Sequence, residues 1–436
     1  MEHESSYVIN MPDIGTTIDE RGIGYVFYHK MKQYKNKIIQ IDGVTGEEET
    51  YDSFLRRCVR TAITMQKKGV KEDDIIAICS ENNMDTVVPY FASMFIGARS
   101  VSFPPYSSTQ SNIYLVNQTN IAPKILFVSA NVLDFAEALI KQQSCEIVVF
   151  DSLSDFTSFQ EFLQPSPTED SFRPYEAKIP KALQSCNTTA DPQVRRNYVC
   201  KCSYDRILMF TNLNWVTTTA YWGVTVLSGG LRIIVPKFDA DNFFKLIHTY
   251  KPTFMLMGRY LCLSIKPETK GNYDIGSLQT IGINGSALSK EQFLWMKALF
   301  PTTKVWSCYG STEANLIAFP HTETEQEIEF FRTKVMSCGT LLVENILLSH
   351  PNVKEAVVVG KRDLIDGDQP MAVVVARGKQ AVTEKELVSF VNGKVDDYMK
   401  LSGGVVFVDS VPLTSSGKVS RFMTKMLAKD VGQRNR

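Results

Sequence analysis

The sequence predicts an α/β protein with a large N-terminal domain of mostly parallel, helix-covered sheets and a small α+β C-terminal domain. Its 436 residues exceed the roughly 250–300 residues that one hydrophobic core usually holds. Short apolar runs typical of buried parallel strands alternate with segments of helical periodicity. This alternation of strand and helix patterns changes near residue 342. We therefore predict an N-terminal domain of residues 1–342 and a C-terminal domain of residues 343–436.

The composition argues against several classes of function. Hydrophobic residues make up 44% of the chain and charged residues 22%, as in ordinary soluble proteins. The 47 Lys and Arg balance the 47 Asp and Glu, so no net charge attracts nucleic acid or anionic lipid. The most apolar stretch, residues 87–103, contains Pro89 and Arg99 and is too short to span a bilayer. We predict no nucleic-acid partner and no transmembrane segment, while the oligomeric state stays open.

The first half of the chain alternates helix and strand signals. Asp52 is a candidate N-cap for a helix that carries apolar residues at helical spacing and ends at Gly69. The elements predicted next are strand 75–79, helix 85–97, strand 100–103, strand 125–128, helix 131–140 and strand 147–150. This order is typical of a parallel sheet covered by helices.

A polar stretch over residues 164–202 interrupts the alternation, which resumes after Asp205. The predicted elements are helix 217–227, strand 231–235, helix 241–250, strands 253–257 and 280–283, helix 289–300 and strand 304–308. The C-terminal domain is predicted to contain helix 343–348, strands 356–359 and 371–375, helix 384–399 and strand 404–408. The basic tail after Leu427 is predicted to fray.

The cysteines and histidines give little support to a metal centre. Nine cysteines show no paired framework, and the chain begins without a signal-peptide pattern, so we predict reduced thiols and a cytoplasmic location. Cys200 and Cys202, with Cys186 nearby, resemble half of a metal site, but no second Cys pair follows and no His lies close by.

Two small-residue segments follow neighbouring predicted strands. Tyr309-Gly310-Ser311-Thr312-Glu313 comes after strand 304–308, where hydroxyls and a glycine suit a phosphate, and Glu313 could approach a metal ion. Gly285-Ser286-Ala287 leaves strand 280–283 in the same direction. By itself the first segment could equally be a turn with a helix cap, but two such exits at one sheet edge favour a nucleotide site.

A third segment lies near the C-terminus and runs from Pro412 to Arg421. It resembles the end of a Walker loop, but Pro412 stands where a glycine is required and Val419 follows Lys418. The segment is therefore either a hairpin turn with a solvated lysine or a mobile loop that delivers one cation to an anionic reaction centre.

Together and in order, these segments resemble the adenylate-forming superfamily, most closely its insect luciferase-like acyl-CoA ligases and 4-coumarate–CoA-ligase-like enzymes. The resemblance extends from residue 24 to residue 427 and is close over residues 400–409. It implies an ATP-dependent ligase that activates a fatty or aryl carboxylic acid as an acyl-adenylate and passes it to coenzyme A, with Mg²⁺ as cofactor. Such enzymes are cytoplasmic or peroxisomal; the final Arg434-Asn435-Arg436 is not a Ser-Lys-Leu-type address.

The resemblance also implies roles for single residues. Tyr309 would lie near adenine, Thr312 would reach the α-phosphate and Glu313 would approach Mg²⁺, while Gly310 and Ser311 complete that nucleotide-binding segment. The floor of the nucleotide and acyl pocket would be formed by Gly285, Ser286 and Ala287. Lys418 would be the catalytic lysine of the C-terminal domain. Trp215 falls where the family lines the acyl site, although a lone aromatic residue more often belongs to the core.

Two segments of the family pattern are missing. No glycine occurs over the 125 residues 98–222, whereas the 25 glycines in 436 residues would place about seven there at average usage. The Ser/Thr/Gly-rich loop that wraps the β- and γ-phosphates belongs in this interval, where the chain reads Asp191 to Cys200. Residues with a Cβ seldom adopt the positive φ that such a cradle needs.

The second missing segment lies between Leu342 and Val343, where the family has a small β-rich lobe, the ribose-binding aspartate and the hinge of the C-terminal domain. Three hypotheses therefore stay open: a carboxylate–CoA ligase with impaired activity, a non-catalytic acyl-binding relative, and an incomplete isoform or gene model of an active ligase. Each lost phosphate or ribose contact costs about 2–4 kcal/mol of transition-state stabilisation, so the sequence favours impaired activity.

Overall fold

A computed structural model of the chain describes residues 19, 21–151, 155–176, 183–185, 193–195, 205–284, 290–307, 309–311, 315–318, 339–363, 367–378, 382–395, 400–414 and 419–434. The first elements are α1 Ile23–Gln33, β1 Ile38–Asp42, β2 Glu48–Thr50, α2 Tyr51–Lys67, β3 Ile75–Cys79, α3 Val88–Phe95, β4 Arg99–Ser102, α4 Thr109–Thr119, β5 Ile125–Val128, α5 Leu133–Ile140, β6 Glu146–Val149, β7 Thr157–Ser158 and α6 Phe159–Phe162.

The following elements continue to the end of the larger part of the chain. They are β8 Leu183–Ser185, β9 Gln193–Arg195, β10 Arg206–Met209, α7 Val216–Ser228, β11 Leu231–Ile234, α8 Phe243–Tyr250, β12 Phe254–Gly258, α9 Arg259–Leu263, β13 Thr280–Asn284, α10 Lys290–Leu299, β14 Lys304–Ser307, β15 Tyr309–Ser311 and β16 Asn315–Ala318.

Two parallel sheets form the larger part of the molecule, as predicted. One has seven strands in the order β14-β13-β12-β10-β11-β1-β2, parallel except for the β1–β2 pair. The other has five parallel strands in the order β4-β3-β5-β6-β7. Their strands read as continuous apolar runs, because a parallel sheet is covered on both faces.

A layer of helices lies between the two sheets. Helices α1, α2, α3 and α7 share one core with Ile39 and Ile234 of the seven-stranded sheet and with Ile76 and Phe127 of the five-stranded sheet. At its centre the rings of Phe54 and Trp222 stack with centroids 6.2 Å apart. This shared core fixes one sheet against the other, and therefore fixes the crevice between their edges.

Helix α2 begins one residue before the predicted cap. Thr50, and not Asp52, is the N-cap, and its side chain accepts a hydrogen bond from the Ser53 amide. Asp52 lies inside the first turn, where it pairs with Arg56 one turn later. The prediction was wrong because Thr50 ends strand β2 and can cap the helix directly, since Ser, Thr and Asp serve this role almost equally.

The C-terminal part is an α+β unit of α11 Gly339–Leu348, β17 Val353–Asp363, β18 Gly367–Ala376, α12 Glu384–Asn392, β19 Gly404–Phe407 and α13 Arg421–Arg434. Its sheet has the order β17-β18-β19. Side chains of β17 alternate between two cores: Val358 packs with Val343 and Leu347 of α11, whereas Val357 packs with Ala428 of α13.

Two elements of this unit differ from the prediction. Helix α11 begins at Gly339 and so runs across the predicted boundary between residues 342 and 343, which stays a prediction. The tail, predicted to fray, is the helix α13. Arg421 anchors it, because the guanidinium donates to the carboxylate of Glu344 in α11, with its Nη1 2.5 Å from Oε1.

Within the described residues, no helix is long and apolar enough to cross a membrane. The four cysteines there, Cys58, Cys79, Cys145 and Cys262, are free thiols. Burial raises the pKa of Cys145 and of Cys262 to about 12. These thiols are therefore protonated at neutral pH and unreactive.

Candidate functional site

The carboxyl ends of four parallel strands meet at one edge of the seven-stranded sheet. In register, Met257 of β12 lies beside Ile283 of β13, and Ile283 lies beside Ser307 of β14. Strand β10 pairs with the other side of β12. In open α/β sheets ligands bind outside the carboxyl ends of the strands, so this edge is the candidate site.

The predicted nucleotide-binding residues adjoin this edge. Gly285, Ser286 and Ala287 directly follow the last residue of β13, and they lie outside the described residues, as do Thr312 and Glu313. Tyr309, Gly310 and Ser311 form β15, which pairs antiparallel with β16. The described part of the segment, Tyr309–Ser311, is therefore a strand, and no described helix begins at it.

The predicted catalytic lysine is flanked by a hairpin. Lys418 itself lies outside the described residues, but Leu413 and Val419 form an antiparallel bridge on either side of residues 414–418. The Ser420 amide donates to the Pro412 carbonyl oxygen over 2.9 Å. Arg421 follows the hairpin directly and donates hydrogen bonds to Glu344 of α11 and to the Val358 carbonyl oxygen of β17. These bonds connect the hairpin to α11 and β17.

Trp215 lies at the N-cap of α7 and is only half-buried. It belongs to none of the apolar cores of the described residues, which disfavours the alternative that Trp215 is a core residue, while its place in an acyl site stays a prediction. Its side chain gives α7 no cap hydrogen bond. Trp215 lies six residues after Met209, the last residue of β10.

A hydrogen-bonded network of hydroxyls and amides connects β10, α7 and the loop after β3. The hydroxyls of Thr211 and Thr218 lie 2.7 Å apart, and the Thr218 hydroxyl also donates to the Thr211 carbonyl oxygen. Asn82 donates its side-chain amide to that same carbonyl. The network holds the two sheets together at the crevice.

Sequence reasoning missed three asparagines in this crevice: Asn212 and Asn214 after β10, and Asn284 at the end of β13. The Asn284 side-chain amide donates to the Thr217 hydroxyl in the first turn of α7 over 3.3 Å. The side-chain oxygens of all three are buried and have no hydrogen-bond partner among the described residues. The sequence gives a signal for Asn284, which ends the apolar run of β13; Asn212 and Asn214 come two and four residues after the apolar run that ends at Phe210.

Charged groups approach the same edge from two sides. Arg259 follows β12 and donates to the Gln292 side chain over 3.3 Å; burial lowers the pKa of its guanidinium. Tyr106 donates to the carboxylate of Glu81 and to the Pro236 carbonyl oxygen, both at 3.1 Å. Burial, and then the charge of Glu81, raise the pKa of Tyr106.

The sequence matches the AMP-binding enzyme family over residues 27–349 and the C-terminal domain of AMP-binding enzymes over residues 342–418. The fold, two parallel sheets and a small α+β unit with a site at the sheet edge, agrees with this match. The chain belongs to the AMP-binding enzyme family, the adenylate-forming acyl- and aryl-CoA ligases.

Individual relatives point to the same branch. Luciferin 4-monooxygenase of Nipponoluciola cruciata is 25% identical, with 99% of each chain covered. A 4-coumarate–CoA ligase of Humulus lupulus is 21% identical, with 96% of each covered. Among solved structures, the luciferase-like enzyme from the nonluminescent mealworm Zophobas morio is 28% identical with a TM-score of 0.65, covering 74% of this chain and 79% of that one.

Proposed function

We propose that this chain is a carboxylate–CoA ligase by ancestry that binds a small fatty or aryl acid at the sheet edge but has lost most of its adenylation activity. The acid would lie beside Trp215, between the carboxyl ends of β10 and β13. ATP and coenzyme A are the substrates that the family uses in general. The impairment is carried by one observation, which concerns the phosphate-binding segment.

Where the family pattern places a phosphate cradle, the described backbone is a strand. Residues Gln193–Arg195 pair antiparallel with Leu183–Ser185, and Arg195 lies opposite Leu183. An antiparallel strand points successive amides to opposite sides, and alternate residues exchange hydrogen bonds with the partner strand. Such backbone cannot converge several N–H groups on one triphosphate, so Arg195 would supply charge without a cradle.

The alignments support missing internal segments. The match to the Nipponoluciola cruciata enzyme extends over 548 residues while this chain has 436, so at least 112 aligned positions (548 − 436) have no counterpart here. Both ends of the chain are nevertheless covered. The unmatched positions therefore fall inside the chain, in agreement with the loss of a phosphate loop and of the ribose and hinge region.

The join at residues 342 and 343 supports the second loss. The matches to the two family segments overlap over residues 342–349, and α11 is continuous from Gly339 to Leu348. A helix at this position leaves no room for a flexible hinge between residues 342 and 343. Rotation of the C-terminal domain, which separates two reaction steps by a conformational change, would have no pivot there.

The described residues contain no group of three or more His, Cys, Asp or Glu that would hold a metal ion. The family resemblance assigns Mg²⁺ to Glu313 and to the phosphates of ATP. Magnesium is commonly held by one or two carboxylates with phosphate oxygens, so a single carboxylate is chemically sufficient when ATP is bound.

ATP–pyrophosphate exchange tests the proposed impairment. Purified protein with a panel of fatty and aryl acids is expected to exchange at a rate about three to six orders of magnitude below that of an active ligase assayed in parallel, because two sets of transition-state contacts are absent. Acid binding without ATP, measured by calorimetry, is expected to persist. An exchange rate close to that of the active ligase would contradict the proposed impairment and would mean that the chain is a fully active carboxylate–CoA ligase.

A further inference from the structure

Four large apolar side chains are exposed on the C-terminal unit, and we call them the apolar patch. Leu413 and Val419, 59% and 40% exposed, form the bridge of the hairpin that precedes α13. Met423 and Met426, 52% and 43% exposed, lie in the first turns of α13. The described part of the chain therefore leaves the patch largely uncovered. Exposed apolar patches mark sites of association with a protein or a membrane.

The fold places the two halves of the patch on one surface. Helix α13 begins two residues after Val419. Ala428 packs against the side chains of β17 and β18, and Thr424, one turn before it, is also buried. Met423 and Met426 lie on the exposed side of the helix, and residues three apart are neighbours on a helix surface. The patch thus continues from the hairpin along the outer side of α13.

Positive charge accompanies the patch. The chain as a whole is neutral, but residues 412–434 contain five basic side chains and one acidic one, a net charge of +4. On α13, Lys429 is exposed and Lys425 is half-buried. Two carboxylates lie close by, because Glu344 pairs with Arg421 and Asp409 is exposed just before the hairpin. An excess of +2 remains when both are counted.

We propose that the apolar patch docks this protein on an anionic lipid bilayer, with α13 lying in the plane of the interface. Helices with apolar residues on one side and lysines beside them bind at the boundary of headgroups and acyl chains. The methylene stem of a lysine lets its ammonium group reach the headgroups while apolar neighbours insert more deeply. The inference is independent of the proposed function, because no residue of the sheet edge takes part.

Charge favours a bilayer over a second copy of the chain as the occupant of the patch. Two copies joined patch to patch would bring their lysines together, and like charges across an interface repel. Anionic headgroups attract the same lysines. The flexible side chains of Met423 and Met426 also adapt to an irregular apolar environment such as acyl chains.

Co-sedimentation of the full chain with vesicles tests the proposal. Vesicles of phosphatidylcholine with about 30% phosphatidylserine are compared with vesicles of phosphatidylcholine alone. The protein is expected to bind the anionic vesicles at least about tenfold more tightly than the neutral ones. Binding should weaken when the salt concentration rises from about 0.1 M to about 0.5 M, because ions screen the attraction.

A pair of variants tests the apolar part of the surface. The double variant Met423→Gln with Met426→Gln is expected to bind anionic vesicles about tenfold more weakly, because two inserted apolar groups are lost. Leu348→Gln is the matched control. Leu348 is also exposed in the C-terminal unit, but it ends α11, which packs on the opposite face of the sheet. This control should change vesicle binding by less than about twofold.

A second pair tests the charged part. The double variant Lys425→Gln with Lys429→Gln should also weaken binding to anionic vesicles about tenfold and remove most of its salt dependence. Lys385→Gln is the control, because Lys385 is exposed on α12, on the same face of the sheet as α11.

Three results would count against the proposal. Equal binding to neutral and anionic vesicles, or binding to neither, would overturn it. A loss of binding in Leu348→Gln as large as in the double methionine variant would refute the assignment to the apolar patch. Sedimentation velocity without vesicles examines the other occupant. A dimer that the double methionine variant abolishes would show that a second copy covers the patch, and the bilayer assignment would then be wrong.

Discussion

Arg232 is a buried arginine in the middle of the seven-stranded sheet. Its side chain is 2% exposed, and its guanidinium carbon lies 4.8 Å from the centroid of the Trp222 ring. Its Nε and Nη1 atoms have no hydrogen-bond partner among the described residues. Burial lowers the pKa of Arg232 to about 9, so the charge is held in an unfavourable place.

Arg232→Met is therefore expected to stabilise the protein by about 1 kcal/mol or more, since removal of an unpaired buried charge outweighs the loss of one cation–π contact. Urea denaturation at pH 7 measures the effect. The exposed Arg56→Met is the control and should change the free energy of unfolding by about 0.5 kcal/mol or less. A variant less stable than the unmodified protein would mean that the guanidinium is well solvated in the core.

The same residue gives a pH dependence with a defined sign. Above pH 9 the folded protein releases the proton of Arg232, whereas the unfolded chain keeps it up to the ordinary pKa of 12.5. The unfolded state then binds more protons, so stability at this site rises with pH. The advantage of Arg232→Met should be constant below pH 9 and shrink between pH 9 and 10.5, as measured by denaturation at each pH.

For single residues, the sequence predicted where they lie in the fold better than it predicted their burial and hydrogen-bond partners. It placed two small-residue segments after neighbouring strands, and the strands β13 and β14 are neighbours in the sheet. It did not reveal the unpaired oxygens of Asn212 and Asn284, because burial without a partner depends on where distant elements meet. Arg232 was hidden for the same reason, since an arginine in an apolar strand is usually expected to reach solvent.

Helices α11 and α13 and strand β17 are joined by one carboxylate. Glu344 is 6% exposed and accepts hydrogen bonds from the Val358 amide at 2.7 Å and from Arg421 at 2.5 Å. Arg421 also donates to the Val358 carbonyl oxygen over 2.6 Å, while half of its side chain is exposed. The buried member of the pair is therefore the carboxylate.

Arg421→Ala should cost more stability than Glu344→Gln. The first change leaves a buried carboxylate without its cation, a loss of about 3 kcal/mol or more. The second keeps a neutral oxygen for the Val358 amide and leaves an arginine that water can solvate, a loss of about 1–2 kcal/mol. Hydrogen exchange of β17 and α13 in the full chain measures both, and faster exchange in Glu344→Gln than in Arg421→Ala would contradict this order.

Most elements of regular structure were predictable because apolar periodicity records burial directly. Strands β3 and β5 have the predicted bounds. Helix α13 was missed because its apolar face is narrow and its anchor, Arg421, pairs with a residue far away in sequence. The hairpin of β8 and β9 was also missed, since strands of three residues carry no measurable period.

At the scale of the whole molecule, the two sheets and the C-terminal unit follow the plan of the AMP-binding enzyme family. The core between the sheets is complete within the described residues, with aromatic pairs such as Phe91 and Trp222 at 6.0 Å. The C-terminal unit has its own two cores. If the two segments are missing as we propose, the described residues form these cores without them.

The pattern of loss leads to a prediction about the origin of the chain. Gradual decay after loss of ATP binding would be expected to erode Lys418 and Glu313 too, because nothing would then retain them. Both are present, and the hairpin around Lys418 is still tied to Glu344 through Arg421. Loss of whole blocks, as in exon skipping, explains intact flanks better.

We therefore expect a longer form of this protein with two insertions. One lies near residues 193–202 and carries a Ser/Thr/Gly-rich run with a lysine; the other lies between residues 342 and 343 and carries an aspartate for ribose and a basic hinge. The second insertion would separate the first turn of α11 from Val343 and Leu347, which are buried in the C-terminal core. Sequencing of full-length transcripts across both junctions, or the intact mass of the native protein, measures this directly.

The longer form should catalyse ATP–pyrophosphate exchange and lose it in Lys418→Ala. A lysine that neutralises negative charge in the transition state affects turnover more than it affects acid binding. If only the 436-residue form exists, a non-catalytic acid-binding protein explains the chain better than an incomplete ligase.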